Sequence, residues 1–188
     1  MENRWEYRVW QTRPEGVEAF ARRLGTDAET HEDHVDFLVS TASFRSHVHL
    51  SSGHLRVEIM LDEQDGVAAW RGKLDDALPA AGTTIAEVVY PALGIATAAL
   101  AEESYDAAAL IDTLEDQPAI RHFSAQRQVD RFALDGATIE IVSLDLETGP
   151  LRGLGVMADD AKTVLAVAHR LGIQNQPNQG YPAALQRV

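Results

Sequence analysis

The 188-residue sequence predicts an α+β fold built around an antiparallel sheet. Several short segments alternate charged with apolar or aromatic residues, and this period of two is typical of β-strands, whose side chains point alternately to the two faces of a sheet. Turn signals separate some of these segments, and other regions have the apolar spacing of amphipathic helices. The alternating segments are residues 5–9, 45–49, 55–59, 71–73 and 127–131.

The alternation leaves open which face of the sheet the charged residues occupy. On an ordinary antiparallel sheet the charged face is solvated, and this is the commoner arrangement. If the charged faces instead point inward, they line the polar lumen of a barrel. Both alternatives are compatible with the pattern alone.

Length and composition predict a single domain covering residues 1–188. A hydrophobic content of 45% is enough for one sizeable core. No apolar run approaches the roughly 20 residues of a membrane span, and the first residues lack the apolar region of a signal peptide, so we expect a cytoplasmic protein. The absence of cysteine excludes disulfides, thiolate catalysis and cysteine-ligated metals.

The net charge of the chain limits the partners that it is expected to bind. A formal net charge of -13 disfavours nucleic acid, because nonspecific affinity for nucleic acid requires Lys and Arg to neutralise phosphates. Most arginines nevertheless lie in or beside the alternating segments. Because a guanidinium group suits forked recognition of phosphate or carboxylate, a local cationic site inside an acidic protein is compatible with this distribution.

The first half of the chain begins with a strand and continues with a helix over residues 14–24. Pro14 is suited to the start of this helix, and Gly25 follows its end. Residues 35–74 are then expected to form several strands, with turns at Gly53 and at Asp65-Gly66.

The second half begins with an alanine-rich helical region over residues 83–117, in which Ser104 is the expected N-cap of a helix over 105–114. Strands resume at residue 119, turn at residues 134–137 and continue to 144. A second amphipathic helix is expected over 159–171. A polar tail follows, with Tyr181-Pro182 as its expected anchor.

The order of these features resembles the CYTH, or triphosphate tunnel metalloenzyme, superfamily over nearly the full length. The motifs that carry the resemblance are Glu6-x-Arg8 in the first strand, Arg127 before a hairpin, Glu140 and Asp145 beyond it, and a coda at residues 178–182. The resemblance implies a closed antiparallel β-barrel of about eight strands with surrounding helices. In such a barrel the alternating charged faces point inward and line a tunnel.

The resemblance also implies roles for individual residues. Known members include inorganic triphosphatases, thiamine triphosphatases and class IV adenylate cyclases, in which tunnel cations grip a polyphosphate and carboxylates hold Mg²⁺ or Mn²⁺. The implied metal ligands are Glu6, Glu140 and Asp145, and the implied substrate-binding residues are Arg8, Arg56, Lys73, Arg127 and Arg131.

The sequence departs from the family pattern at several positions. Arg4 stands where the family has a carboxylate, Ala125 stands at a lysine position, and residues 153–157 lack the later carboxylates. A second alignment of the middle strands, based on Gly53, places His49 and Glu58 where basic residues are expected.

The segment His47-Val48-His49 is a further candidate for chemistry. On a strand the two histidines share one face, where they could ligate a transition metal or act as a general acid or base near neutral pH. A solvated strand face explains the same spacing. With Glu6, the two histidines are the candidate catalytic residues.

Three functions follow from these observations. The first is a divalent-metal-dependent phosphohydrolase that acts on a phosphorylated or otherwise anionic small molecule. The second is a repurposed tunnel enzyme that performs elimination or cyclisation by acid/base chemistry on a less charged organic substrate. The third is a noncatalytic anion-binding protein. No nucleic-acid or membrane partner is expected, and a homodimer is an open alternative.

Overall fold

The strands close into a single barrel. The computed structural model describes residues 3–11, 15–24, 29–96, 100 and 102–188. Within these residues, eight antiparallel strands form a closed barrel in the order β1-β10-β9-β8-β2-β3-β4-β5, and β5 pairs back with β1. The strands are β1 (Asn3–Gln11), β2 (Glu29–Ser40), β3 (Ser46–Ser51), β4 (His54–Gln64), β5 (Val67–Ala77), β6 (Ala80–Ala81), β7 (Ser104–Tyr105), β8 (Ile120–Leu134), β9 (Ala137–Leu146) and β10 (Gly149–Ala158). The predicted α+β fold with a closed antiparallel barrel is confirmed.

Helices surround this barrel, and the short strands β6 and β7 form a separate ladder among them. The helices are α1 (Glu15–Leu24), α2 (Gly82–Thr84), a π-helical turn (Ile85–Val89) that leads into α3 (Tyr90–Leu93), α4 (Ala107–Glu115), α5 (Ala161–Arg170) and α6 (Tyr181–Leu185). In the described parts of the chain, no helix has the length and apolar character needed to cross a membrane.

The start of one helix differs from the prediction, and the predicted limits of another lie outside the described residues. Pro14 and Gly25, the expected limits of α1, lie outside the described residues. The expected cap of α4 is wrong, because Ser104 pairs with Ala81 in the β6–β7 ladder. The cap is Asp106, whose carboxylate accepts a hydrogen bond of 2.9 Å from the backbone N–H of Ala109.

The outward faces of the barrel strands are apolar and are covered by helices. On one side α5 contributes Val164 and Val167 to a buried cluster that includes Tyr7 and Ile139 from the wall. On another side the π-helical turn, α3 and α4 bury the outward side chains of β3 and β4, among them Val48, Leu55 and Val57. Because the apolar sets of these strands face the helices, the charged sets face inward. Of the two alternatives for the charged faces, the structure has the one in which they line the barrel lumen.

A third cluster of apolar residues lies inside the barrel and fills one end of it. Its buried members come from three barrel strands, β2, β8 and β9, and from α6, whose Leu185 is fully buried. They include Val39, Phe123, Leu144 and Leu146. The lumen therefore has a closed apolar half, and its charged half is a blind pocket.

The C-terminal segment completes the wall between β1 and β5. These two strands pair only over residues 3–6 of β1, so the backbone of Arg8 has no partner on that side of the sheet. Asn178 fills the gap: its Nδ2 donates to the carbonyls of Glu6 and Gly66 at 3.1 and 2.8 Å, and its Oδ1 accepts from the backbone N–H of Arg8 at 2.8 Å. The N–H of Gln179 then donates to the Arg8 carbonyl at 2.8 Å.

Asn178→Ala should lower the free energy of unfolding by about 2–3 kcal/mol, because it leaves a backbone N–H and two carbonyls of the wall without their partner. The measurement is urea denaturation at neutral pH. Asn175→Ala, at an exposed position of the same segment, is the matched control and should change stability by no more than about 0.5 kcal/mol. Equal effects of the two substitutions would contradict this role of Asn178.

Candidate functional site

The charged half of the lumen encloses a cavity of about 320 Å³. Positive side chains dominate its wall, aromatic rings lie at its inner end, and carboxylates stand between the arginines. Lining arginines are Arg4, Arg8, Arg56, Arg127 and Arg131; lining carboxylates are Glu58 and Glu140; lining rings are Phe37, His47, His49 and Tyr181. Four of the five predicted substrate-binding residues and two of the three predicted catalytic residues therefore meet in one place.

Arg8 connects two buried carboxylates across the wall. Its Nε donates to Glu6 Oε1 at 2.6 Å, and its Nη2 donates to Glu140 Oε2 at 2.6 Å. The remaining oxygen of Glu140 accepts from Arg131 Nε at 2.7 Å. Burial alone would raise the pKa of both glutamates, but the arginines outweigh it and hold each pKa below its usual range, so both are ionised at neutral pH.

A second network joins β1 to β3 and β4. Arg4 binds both oxygens of Glu58, one of them at 2.9 Å, and its Nη2 lies 3.3 Å from Glu6 Oε2. His47 Nδ1 lies 3.4 Å from Glu58 Oε2. Burial opposes ionisation of Glu58, but the hydrogen bonds from Arg4 and His47 lower its pKa below the usual range. Glu58 thus serves as a counter-ion within the wall.

Two glycines of β10 provide the room that these side chains need. A Cβ atom at Gly155 would lie 2.7 Å from Arg8 Nη2, and one at Gly153 would lie 2.7 Å from the indole of Trp10. The guanidinium group and the indole therefore lie directly against the β10 backbone. The absence of carboxylates from residues 153–157 is thus coupled to the positions of Arg8 and Trp10.

The outer part of the cavity is cationic. Arg127 makes a forked pair with Asp33, with N···O distances of 2.8 and 2.5 Å. Arg56 donates to Ser51 Oγ at 3.0 Å and lies 3.2 Å from an Asp75 oxygen. An adjoining recess of about 240 Å³ shares three arginines with the cavity, namely Arg56, Arg127 and Arg131. These arginines form the mouth.

Tyr181 forms the inner end of the cavity, a role that the sequence did not predict beyond an anchor for the tail. Its ring stacks on Phe37 at a centroid distance of 5.3 Å, meets Trp10 edge-on at 5.1 Å, and lies 4.8 Å from the guanidinium carbon of Arg8. Burial raises the pKa of Tyr181 to about 12, so its hydroxyl stays protonated and can donate a hydrogen bond.

The two histidines share the lumen face but have different environments. The ring of His47 packs against Trp70 at a centroid distance of 4.1 Å and a tilt of 32°. Its buried Nε2 lies 2.8 Å from where a Cβ at Gly180 would be, so that nitrogen faces the C-terminal segment. Burial and the nearby charge of Arg127 lower the pKa of His49 to about 3, so His49 is neutral at physiological pH. Their catalytic role stays a prediction.

Two predicted site residues lie elsewhere. Asp145 is exposed on the outer wall, where it borders a groove of about 410 Å³ with Gln126 and Arg152. It follows Glu140 by an odd number of positions on one strand, so the two carboxylates point to opposite faces of β9. The predicted role of Asp145 as a metal ligand stays a prediction. Lys73 is exposed at the register shift of the β4–β5 ladder and does not line the cavity.

The carboxylates of the lumen do not fit the divalent metal site that the resemblance implies. Every carboxylate oxygen of Glu6 and Glu140 already accepts a hydrogen bond from Arg4, Arg8 or Arg131. Among the described residues, no group of three or more His, Asp and Glu side chains is arranged to hold a metal ion. The carboxylates of the lumen instead pair with arginines and hold them in position.

The comparisons with known proteins support the fold. No family sequence model matches this chain, and no curated protein matches it significantly. Solved structures do match. A candidate adenylyl cyclase from Hippeastrum, described as having a dominant triphosphatase activity, has a TM-score of 0.53 at 12% identity, with 98% of this chain and 95% of that chain covered. A conserved hypothetical protein from Pyrococcus furiosus has a TM-score of 0.54 at 10% identity, with coverages of 96% and 99%. The chain thus shares the barrel fold of these two structures.

The low pKa of His49 predicts a specific dependence of stability on pH. The unfolded chain takes up a proton on this residue below its ordinary pKa of about 6.5, whereas the folded chain does so only near 3, so the folded state loses stability as the pH falls between these values. The free energy of unfolding, measured by urea denaturation, should fall between pH 7.5 and pH 5 in the native chain. This fall should be about 1–2 kcal/mol smaller in His49→Asn. Parallel pH dependences of the two chains would contradict the buried, neutral state of His49.

Proposed function

We propose that the lumen binds a small phosphorylated or otherwise anionic molecule. The observation that supports this proposal is the convergence of five arginines on one blind cavity of about 320 Å³. A guanidinium group offers donors in a planar fork that matches phosphate and carboxylate oxygens. The triphosphatase activity described for the Hippeastrum protein makes a phosphorylated ligand the first candidate.

The wall carboxylates support binding because they hold the arginines in place without using all of their donors. Arg127 uses Nε and Nη2 on Asp33, and Arg131 uses Nε on Glu140. Each guanidinium has five N–H donors. Donors therefore remain at the mouth for a ligand, and the side chains are already ordered before the ligand arrives.

Hydrolysis of a phosphoanhydride is the first candidate reaction. Phosphoryl transfer depends mainly on the positioning of the reactants and on stabilisation of the charge on the transferred group. Arg127, Arg131 and Arg56 are placed to provide that stabilisation. The carboxylates that would hold a metal ion are bound to arginines, so the arginines supply the positive charge in this proposal.

A second candidate is acid/base chemistry on a less charged organic substrate, such as elimination or cyclisation. The inner end of the cavity favours it, since His49 is neutral, the Tyr181 hydroxyl is protonated, and Phe37 offers an apolar surface. An anion bound against Arg127 would offset the charge that depresses the pKa of His49 and make this imidazole a stronger base. A lumen that binds anions without turnover corresponds to the third function, an anion receptor.

Arg131→Gln should weaken binding of phosphate-bearing probes by about 10- to 100-fold, because it removes a charged donor at the mouth. Isothermal titration calorimetry with tripolyphosphate and with phenyl phosphate measures the change. Arg170→Gln is the matched control, since Arg170 pairs with Asp135 on the outer surface and should leave the affinity unchanged. Failure of the native chain to bind either probe would contradict the proposal.

The reaction can be tested on the same proteins. Phosphate release from tripolyphosphate that is lost in Arg131→Gln and kept in Arg170→Gln supports hydrolysis. An activity on an organic phosphate that depends on His49 and yields no free phosphate from tripolyphosphate supports acid/base chemistry.

A further inference from the structure

We infer that the lumen binds its ligand as a free anion without a divalent metal ion, and that Arg8 occupies the place between Glu6 and Glu140 that a metal ion would need. The inference rests on the proposed anion-binding function and deepens it, because it specifies the chemical form of the ligand. Between the two candidate reactions it favours acid/base chemistry on an organic phosphate over hydrolysis of a phosphoanhydride.

The geometry around Arg8 indicates that this side chain excludes a metal ion from the two glutamates. The guanidinium group lies between two carboxylates from different strands, β1 and β9, with N···O distances of 2.6 Å to each. Arg8 and Glu6 are both 1% exposed, and Glu140 is 6% exposed. A divalent ion with bound water molecules could reach these carboxylates only after Arg8 had moved away.

The surroundings of Arg8 oppose such a movement. Its guanidinium lies directly against the β10 backbone at Gly155, and the rings of Trp10 and Tyr181 lie 5.9 and 4.8 Å from its central carbon. If the guanidinium moved to let a metal ion bind Glu6 and Glu140, it would lose both of its carboxylate partners and remain unpaired in a buried site. Breaking a buried ion pair in this way is strongly unfavourable.

The balance of charge in the lumen indicates how much negative charge a metal-free ligand carries. Five arginines line the cavity; the exposed Asp75 pairs with Arg56, and four buried or half-buried carboxylates pair with the other arginines, which leaves at most one net positive charge in the lumen. These carboxylates are Asp33, Glu6, Glu58 and Glu140. A phosphomonoester, with a charge of about -1.5 to -2, is closer to this excess than a polyphosphate that lacks metal counter-ions.

The inner end of the cavity indicates what the anionic group is attached to. The stacked rings of Phe37 and Tyr181 present an apolar surface opposite the cationic mouth. An organic molecule with a single phosphate group can place its apolar part against these rings and its phosphate against Arg127 and Arg131. The ligand class that we infer is therefore a singly phosphorylated organic molecule, free of divalent metal.

Calorimetry with two probes tests the form of the ligand. Phenyl phosphate should bind in the presence of EDTA with an affinity within about threefold of that in Mg²⁺, and more tightly than tripolyphosphate in EDTA. Binding of either probe only when Mg²⁺ is present would overturn the inference and leave the proposed function intact. Absence of binding by both probes in both buffers would instead refute the proposed function.

Direct measurement of metal binding tests the role of Arg8 independently of any ligand. In an electron paramagnetic resonance titration, the native chain should bind no Mn²⁺ up to ~1 mM, whereas Arg8→Ala should bind Mn²⁺ at least about tenfold more tightly, because Glu6 and Glu140 are released. Arg131→Ala is the matched control: it removes the other partner of Glu140 but keeps Arg8, and should bind no more Mn²⁺ than the native chain.

Two outcomes of this titration would overturn the inference. One is stoichiometric binding of Mn²⁺ to the native chain at micromolar concentration that is lost in Glu6→Gln. The other is a folded Arg8→Ala chain, verified by circular dichroism, that still binds no Mn²⁺. If Arg8→Ala does not fold, the titration of the native chain decides the question.

Discussion

The bridge that Arg8 makes between Glu6 and Glu140 is the interaction on which the charged half of the lumen depends. Charged groups that face into a closed barrel are removed from bulk water, and an uncompensated buried charge costs several kcal/mol. The bridge compensates three such charges at once and connects β1 with β9 across the intervening strand β10. Arg131 extends the same network to β8, so side-chain pairing reinforces the backbone ladders.

The barrel interior is divided by α6. On one side of Tyr181, apolar side chains fill the space and form a core like that of any small domain. On the other side, ion pairs hold the walls while leaving a cavity. The C-terminal segment makes this division possible, because Asn178 and Gln179 complete the wall beside β1 before the chain turns inward at Tyr181. The same few residues thus close the barrel and shape its site.

Much of this fold could be predicted from alternation, turn residues and the order of motifs, but the inward direction of the charged faces required the resemblance. An alternating pattern is the same whichever face of the sheet points inward, and the helices that cover the apolar face lie far away in the chain. The separation of Glu140 from Asp145 could have been read from their odd spacing on one strand. The exposure of Lys73 depends on a register shift, and the burial of Tyr181 depends on tertiary packing, so neither is visible in local sequence.

The apolar half of the barrel has a consequence for the order of events at the site. Among the described residues, a lumen filled at one end by Phe123, Leu146 and Leu185 opens beside Arg56 and Arg131. Whatever occupies the cavity must leave by the route through which the next molecule arrives. Exchange of ligands in such a cavity is strictly sequential, so a bound anion must dissociate before a second anion can reach the same arginines.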